Sequence, residues 1–67
     1  MMLLKDMTIT NRNLKLNIIY ENKEDPIITY NLHTMSFLNA LTRHLKECEV
    51  VHVHIANNVV SIYIKEV

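Results

Sequence analysis

The sequence predicts a small two-layer α+β domain: antiparallel β-hairpins flanking one amphipathic helix, in the order β-β-β-α-β-β, with the helix packed on one sheet face. Three observations predict it. The C-terminal third alternates apolar and polar residues on both sides of an Asn-Asn pair. The stretch from Leu14 to Leu32 alternates in the same way around a charged loop. Between them lies a segment whose apolar residues recur at helical spacing.

The first predicted strand is KDMTIT, residues 5–10. It is set to fold back across Asn11-Arg12-Asn13, so that Ile9 meets Leu16 and Met7 meets Ile18. The second, LKLNIIY, places Leu14, Leu16, Ile18 and Tyr20 on one side. The third, ITYNL, does the same with Ile28, Tyr30 and Leu32. The intervening ENKEDP is charged and ends in proline, which marks a loop.

The helix is expected within HTMSFLNALTRHLKECE, residues 33–49, with Thr34 or Ser36 as its N-cap. At 100° per residue, Phe37, Leu38, Leu41, Leu45 and Cys48 form one apolar stripe. Asn39, Thr42, Arg43, Lys46 and Glu47 fall opposite. The last hairpin, VVHVHIA-NN-VVSIYIKEV, turns on Asn57-Asn58. Asparagine tolerates positive φ, so the pair suits a type I′ turn. A two-residue turn sets Ile55 against Val60, Val53 against Ile62 and Val51 against Ile64 on one face. On the other face His54 meets Ser61 and His52 meets Tyr63. A slip by one residue would exchange the faces.

Residues 1–67 leave room for one domain, and at that size the buried fraction is low enough to make stability marginal. Disulfides within the chain are excluded by the single cysteine, Cys48, which fits a reducing compartment. Lys plus Arg balances Asp plus Glu at seven each, so no net field draws the chain to nucleic acid or anionic lipid. The absence of glycine excludes Walker-type and Rossmann-type phosphate loops. The start has no basic n-region and too short an apolar run for a signal peptide. No run reaches membrane-spanning length. The expected location is cytoplasmic. Eight asparagines and eight isoleucines are a bias of AT-rich genomes, a weak hint of origin in a phage, a mobile element or a low-GC bacterium.

Three constellations bear on chemistry. His44, Cys48, His52 and His54 are zinc-ligand types spaced His-x3-Cys-x3-His-x-His. Parity separates them, since Cys48 belongs to the apolar stripe and His52 and His54 to the opposite sheet face. No metal or other cofactor is therefore expected within one chain, although His52 and His54 from two chains would suffice for one. Cys48 beside His44 has the composition of a thiol-base pair, but an apolar setting raises a thiol's pKa and closes access. Glu21, Glu24 and Asp25 beside Lys23 read as a solvated turn. No catalytic residue is assigned and no enzyme activity is expected.

The third constellation is the open sheet face, with Lys15, Asn17, Thr29, Asn31, His52, His54, Tyr63 and Lys65. Single-strand binders need aromatic platforms and positive charge. Here there is one outward tyrosine and a thin basic patch. Weak nucleic-acid binding through Lys15, Arg43, Lys46 and Lys65 is the alternative reading. The leading one is a small non-catalytic protein–protein interaction module that self-associates as a homodimer, in the manner of a regulator or inhibitor. Its expected contact residues are Ile19, His52, His54 and Tyr63. Ile19, Ile27 and Val59 add apolar character to that face, and exposed strand edges invite pairing.

Overall fold

The computed structural model describes residues Met1–Val67. It contains four strands: β1 (Lys15–Tyr20), β2 (Ile28–Asn31), β3 (Glu49–Ala56) and β4 (Val59–Lys65). They form one sheet in the order β2-β1-β4-β3. β1 pairs antiparallel with β2 and parallel with β4, and β3 pairs antiparallel with β4. The parallel β1–β4 pair forces the chain to cross from one edge of the sheet to the other between Leu32 and Cys48.

That crossing corrects the predicted fold class. The chain is 39 % strand and 15 % helix, with no amphipathic helix packed on the sheet, so the α+β description does not hold. Residues 33–49 instead hold a 3₁₀ turn (Leu38–Ala40) and a single α-helical turn, α1 (Arg43–Lys46). Leu41 between them is extended, at φ −94° and ψ 134°. Thr42 is the N-cap of α1, its Oγ1 accepting a hydrogen bond from the Leu45 N–H at 3.3 Å. Thr34, Ser36, Asn39 and Thr42 offer the backbone side-chain partners that compete with helical ones, and Thr42 takes that role here. The apolar residues still reach the core. Phe37, Leu41, Leu45 and Cys48 are buried, whereas Leu38 is exposed.

The core is a single cluster beneath this irregular cover. The sheet contributes Leu16, Ile18, Val60, Ile62 and Ile64 from β1 and β4. The cover contributes Leu4, Leu32, Phe37, Ala40, Leu41, Leu45 and Cys48. Each fully buried Leu or Ile stabilises the fold by roughly 1.5–3 kcal/mol relative to exposure. β3 supplies no member of the cluster; its Val50 packs against it.

The predicted first strand is also absent. Leu4–Asp6 form a 3₁₀ turn, and the Leu4 side chain is fully buried in the core. β1 has two edges, and β2 and β4 occupy both, so Met7 and Ile9 find no strand to join. They pack on the core instead. The N-terminal segment turns to β3. Leu4 N–H donates to the Cys48 carbonyl and Val50 N–H to the Met2 carbonyl, both at 2.8 Å. Leu3 forms an isolated antiparallel bridge with Glu49.

The C-terminal hairpin matches its prediction closely. Asn57 and Asn58 have φ of 53° and 62°, the left-handed pair a type I′ turn needs. Ile55 meets Val60, His54 meets Ser61, Val53 meets Ile62 and His52 meets Tyr63. One pair differs. A β-bulge lies between Val50 and His52, so Ile64 is paired with Val50 rather than Val51. In the first hairpin Leu16 meets Tyr30 and Ile18 meets Ile28, so residues that alternation places on one side of each strand share a face of the sheet. No helix is long and apolar enough to cross a membrane.

Candidate interaction surface on the edge strand

The face of the sheet opposite the core has no covering layer. Its side chains lie in rows set by the register. One row runs Thr29, Asn17, Ser61, His54, and Thr29 Oγ1 donates to Asn17 Oδ1 at 2.9 Å. The next runs Ile19, Tyr63, His52. His52 and His54 are both exposed and stand at the free edge. The His52 ring leans on Tyr63, with centroids 5.8 Å apart and planes 38° apart. Val51, at the bulge, joins Glu21, His52, His54 and Tyr63 around a shallow groove.

Three of the four predicted contact residues thus gather at one place. Ile19 shares their row but not their exposure. It is 6 % exposed, so the expectation of a free isoleucine on this face is corrected: the strands on either side shield it. The expectation that the apolar face of β3 points into the core is also corrected. Val53 and Ile55 have the same parity as Ile62 and Val60, yet they are 36 % and 63 % exposed, because the cover ends short of β3.

The outer edge of β3 is closed at one end and open at the other. Met2 and Leu3 occupy it at Glu49 and Val50. From Val51 to Ala56 it has no strand partner, since β3 is last in the sheet. This open run is free of charge: no Asp, Glu, Lys or Arg occurs from Val50 to Ile64. The ion pairs lie around the closed end, Lys65–Glu49 at 3.7 Å and Lys5–Glu47 at 3.1 Å. Exposed pairs of this kind add little stability, but they define where charge is absent.

The zinc-type residues do not converge. Cys48 is 2 % exposed, buried in the core between the cover and the sheet, while His52 and His54 stand on the opposite face of the sheet. No three His, Cys, Asp or Glu side chains of the chain come together in a way that would hold a metal ion. His44 bonds outward to Glu66 through its Nε2, and the Cys48 thiol lies 3.6 Å from the His44 carbonyl oxygen, not from its ring. Burial pushes the Cys48 thiol above its ordinary pKa and the Glu66 carboxylate adds to this, against an opposing hydrogen bond with Tyr20. Tyr20 is raised too, by burial first and then by Cys48 and Glu66. A thiol kept protonated and covered is a poor nucleophile.

The four cationic residues of the nucleic-acid reading are also dispersed. Lys15 and Lys65 lie on the open face at opposite ends of the sheet, and Glu49 neutralises Lys65. Arg43 and Lys46 belong to α1, in the cover on the other side. A search of family models, of curated proteins and of solved structures finds no match to this chain.

Proposed function

We propose that the chain is a non-catalytic protein-interaction module that works as a homodimer joined through β3. One observation carries this reading: the open edge spells Val51-His52-Val53-His54-Ile55, which is the same kind of residue read from either end. An antiparallel pairing about a two-fold axis brings residue i against residue j and j against i. With the axis at Val53, that valine meets its own copy and His52 meets the partner's His54, while the bulge at Val51 ends the regular pairing at that end. Apolar groups face apolar groups, imidazoles face imidazoles, and no fixed charge opposes the approach.

The energetics support the same arrangement. Only 13 of 67 residues are buried, so the isolated fold has little apolar burial to spare. Pairing edges satisfies backbone groups that water otherwise serves, and joins Val53 and Ile55 of both copies into one apolar strip. Sedimentation velocity across a concentration series tests this. The wild-type chain is expected to sediment as a dimer and Val53→Lys as a folded monomer, because an edge lysine is a standard block to strand addition. A wild-type chain that stays monomeric at high micromolar concentration would rule the pairing out.

A further inference from the structure

We infer that the paired β3 strands bind one divalent late transition-metal ion, of the zinc or copper class, between His52 and His54 of both copies. The inference rests on the proposed β3 pairing. Histidines two residues apart on a strand point the same way and stand about 6.8 Å apart, at a rise of about 3.4 Å per residue. Directly opposed residues of an antiparallel pair have Cβ atoms about 4.5–5.5 Å apart. His52 and His54 with the partner's His54 and His52 therefore mark the corners of a rectangle of about 5 by 7 Å on one face. A tetrahedral ion with Zn–N bonds of about 2.0–2.1 Å needs nitrogens about 3.3 Å apart. Imidazoles leaning inward from those corners reach that spacing above the sheet, with the ion on the two-fold axis.

The surroundings fit a ligand role. One chain brings no three ligating side chains together, so a closed site needs the second copy. His44 has a carboxylate partner in Glu66, whereas the His52 ring rests on Tyr63 of β4 with no carboxylate hydrogen-bonded to it, and would swing off that tyrosine toward the partner strand to bind. His54 stands opposite Ser61, a side chain small enough to leave its ring room. Uncharged imidazole sets suit zinc, copper and nickel rather than magnesium or calcium. An ion that binds only the dimer also strengthens it by mass action.

The test uses the full chain freed of metal by a chelator, with zinc chloride alone as the ligand, read by calorimetric titration and by sedimentation. The expected results are one zinc per two chains, a dimer that tightens as zinc is added, and loss of both effects in the double variant H52N/H54N. Val53→Lys should lose the dimer and the one-per-two binding together. A wild-type dimer that takes up no zinc at that ratio, or a double variant that binds as the wild type does, overturns the metal site and leaves the strand pairing standing. A wild-type chain that remains monomeric with and without zinc overturns both.

Discussion

The two edges of this sheet are built in opposite ways. β2 is four residues long. It follows a loop that carries Glu21, Lys23, Glu24 and Asp25, and Pro26, which has no N–H to offer, stands two residues before it. It ends in a turn closed by Thr34, whose N–H and hydroxyl both donate to the Asn31 carbonyl. Shortness, charge and proline are the usual means of keeping a strand edge unpaired. β3 is eight residues long and has none of these along its open half. Its only guards are the bulge at Val51 and the N-terminal segment at Glu49 and Val50, both at one end. In so small a sheet, the run from His52 to Ile55 is left without these guards while the other edge carries them, and this contrast is what supports the proposed use of β3.

The sharpest way to break this comparison is to ask what β3 does for the isolated fold. Ile62 and Ile55 lie on the same side of neighbouring strands, one fully buried and the other 63 % exposed. Ile62→Ala should destabilise the monomer by about 2–5 kcal/mol. Ile55→Ala should stay within about 0.5 kcal/mol, as exposed substitutions do. Urea unfolding at a concentration below dimerisation checks both. Comparable losses would mean that β3 is part of the core, and the idea of an edge held in reserve would fall.

Matched charges on the two edges come next. Ile55→Lys should weaken self-association at least tenfold, about 1.4 kcal/mol. Thr29→Lys on β2, also at an exposed position, should leave it unaltered. Equilibrium sedimentation gives both constants. Equal weakening by the two lysines would move the interface away from β3.

The turn sets which face of β3 carries the valines, so its chemistry bears on the same point. Asn57→Ala puts a Cβ-bearing residue without asparagine's local hydrogen bonds at φ 53°. The left-handed region costs such a residue roughly 1–2 kcal/mol. Thermal unfolding should show that loss, with Asn57→Gly unchanged or more stable. An alanine variant as stable as the wild type would mean that the register does not depend on this turn.

What the sequence made legible follows from the range of the interactions involved. The Asn57-Asn58 turn and the pairs from Ile55–Val60 to His52–Tyr63 are local, and the turn with the alternation around it predicts them. Strand order is not local. Nothing in VVHVHIA distinguishes it from VVSIYIK, yet β4 lies in the centre and β3 at the edge, because β1 pairs in parallel with β4. That one pairing decides that Ile62 is buried while Ile55 is exposed. It also leaves Met7 and Ile9 without an edge to join. The apolar spacing of residues 33–49 correctly located Phe37, Leu41, Leu45 and Cys48 in the core, but spacing alone does not distinguish a helix from a chain that turns at Leu41 and restarts at Thr42. The His52–Tyr63 pair was legible, whereas the shielding of Ile19 was not, since it depends on neighbours that only the assembled sheet supplies.

The closed end of β3 gives the smallest effect. Leu4 bonds to the Cys48 carbonyl there, and the Cys48 thiol and Tyr20 hydroxyl are both held above their ordinary pKa, chiefly by burial. In the unfolded chain these groups ionise near their ordinary values, about 8.5 for a thiol and about 10 for a phenol. In the folded chain they keep their protons to higher pH. The unfolded state therefore binds fewer protons as the pH rises through this range, and stability falls with it. Their contribution is complete below about pH 8 and shrinks toward the folded-state values. Cys48→Ala should unfold more easily at pH 7, through lost packing, yet lose less further stability between pH 7 and pH 9.5 than the wild type does. Urea midpoints at the two pH values, in reductant, measure that difference. An equal loss in both proteins would mean that the thiol at this end is not protected from ionisation, and that the closed end of β3 is looser than its hydrogen bonds to Met2 and Leu4 imply.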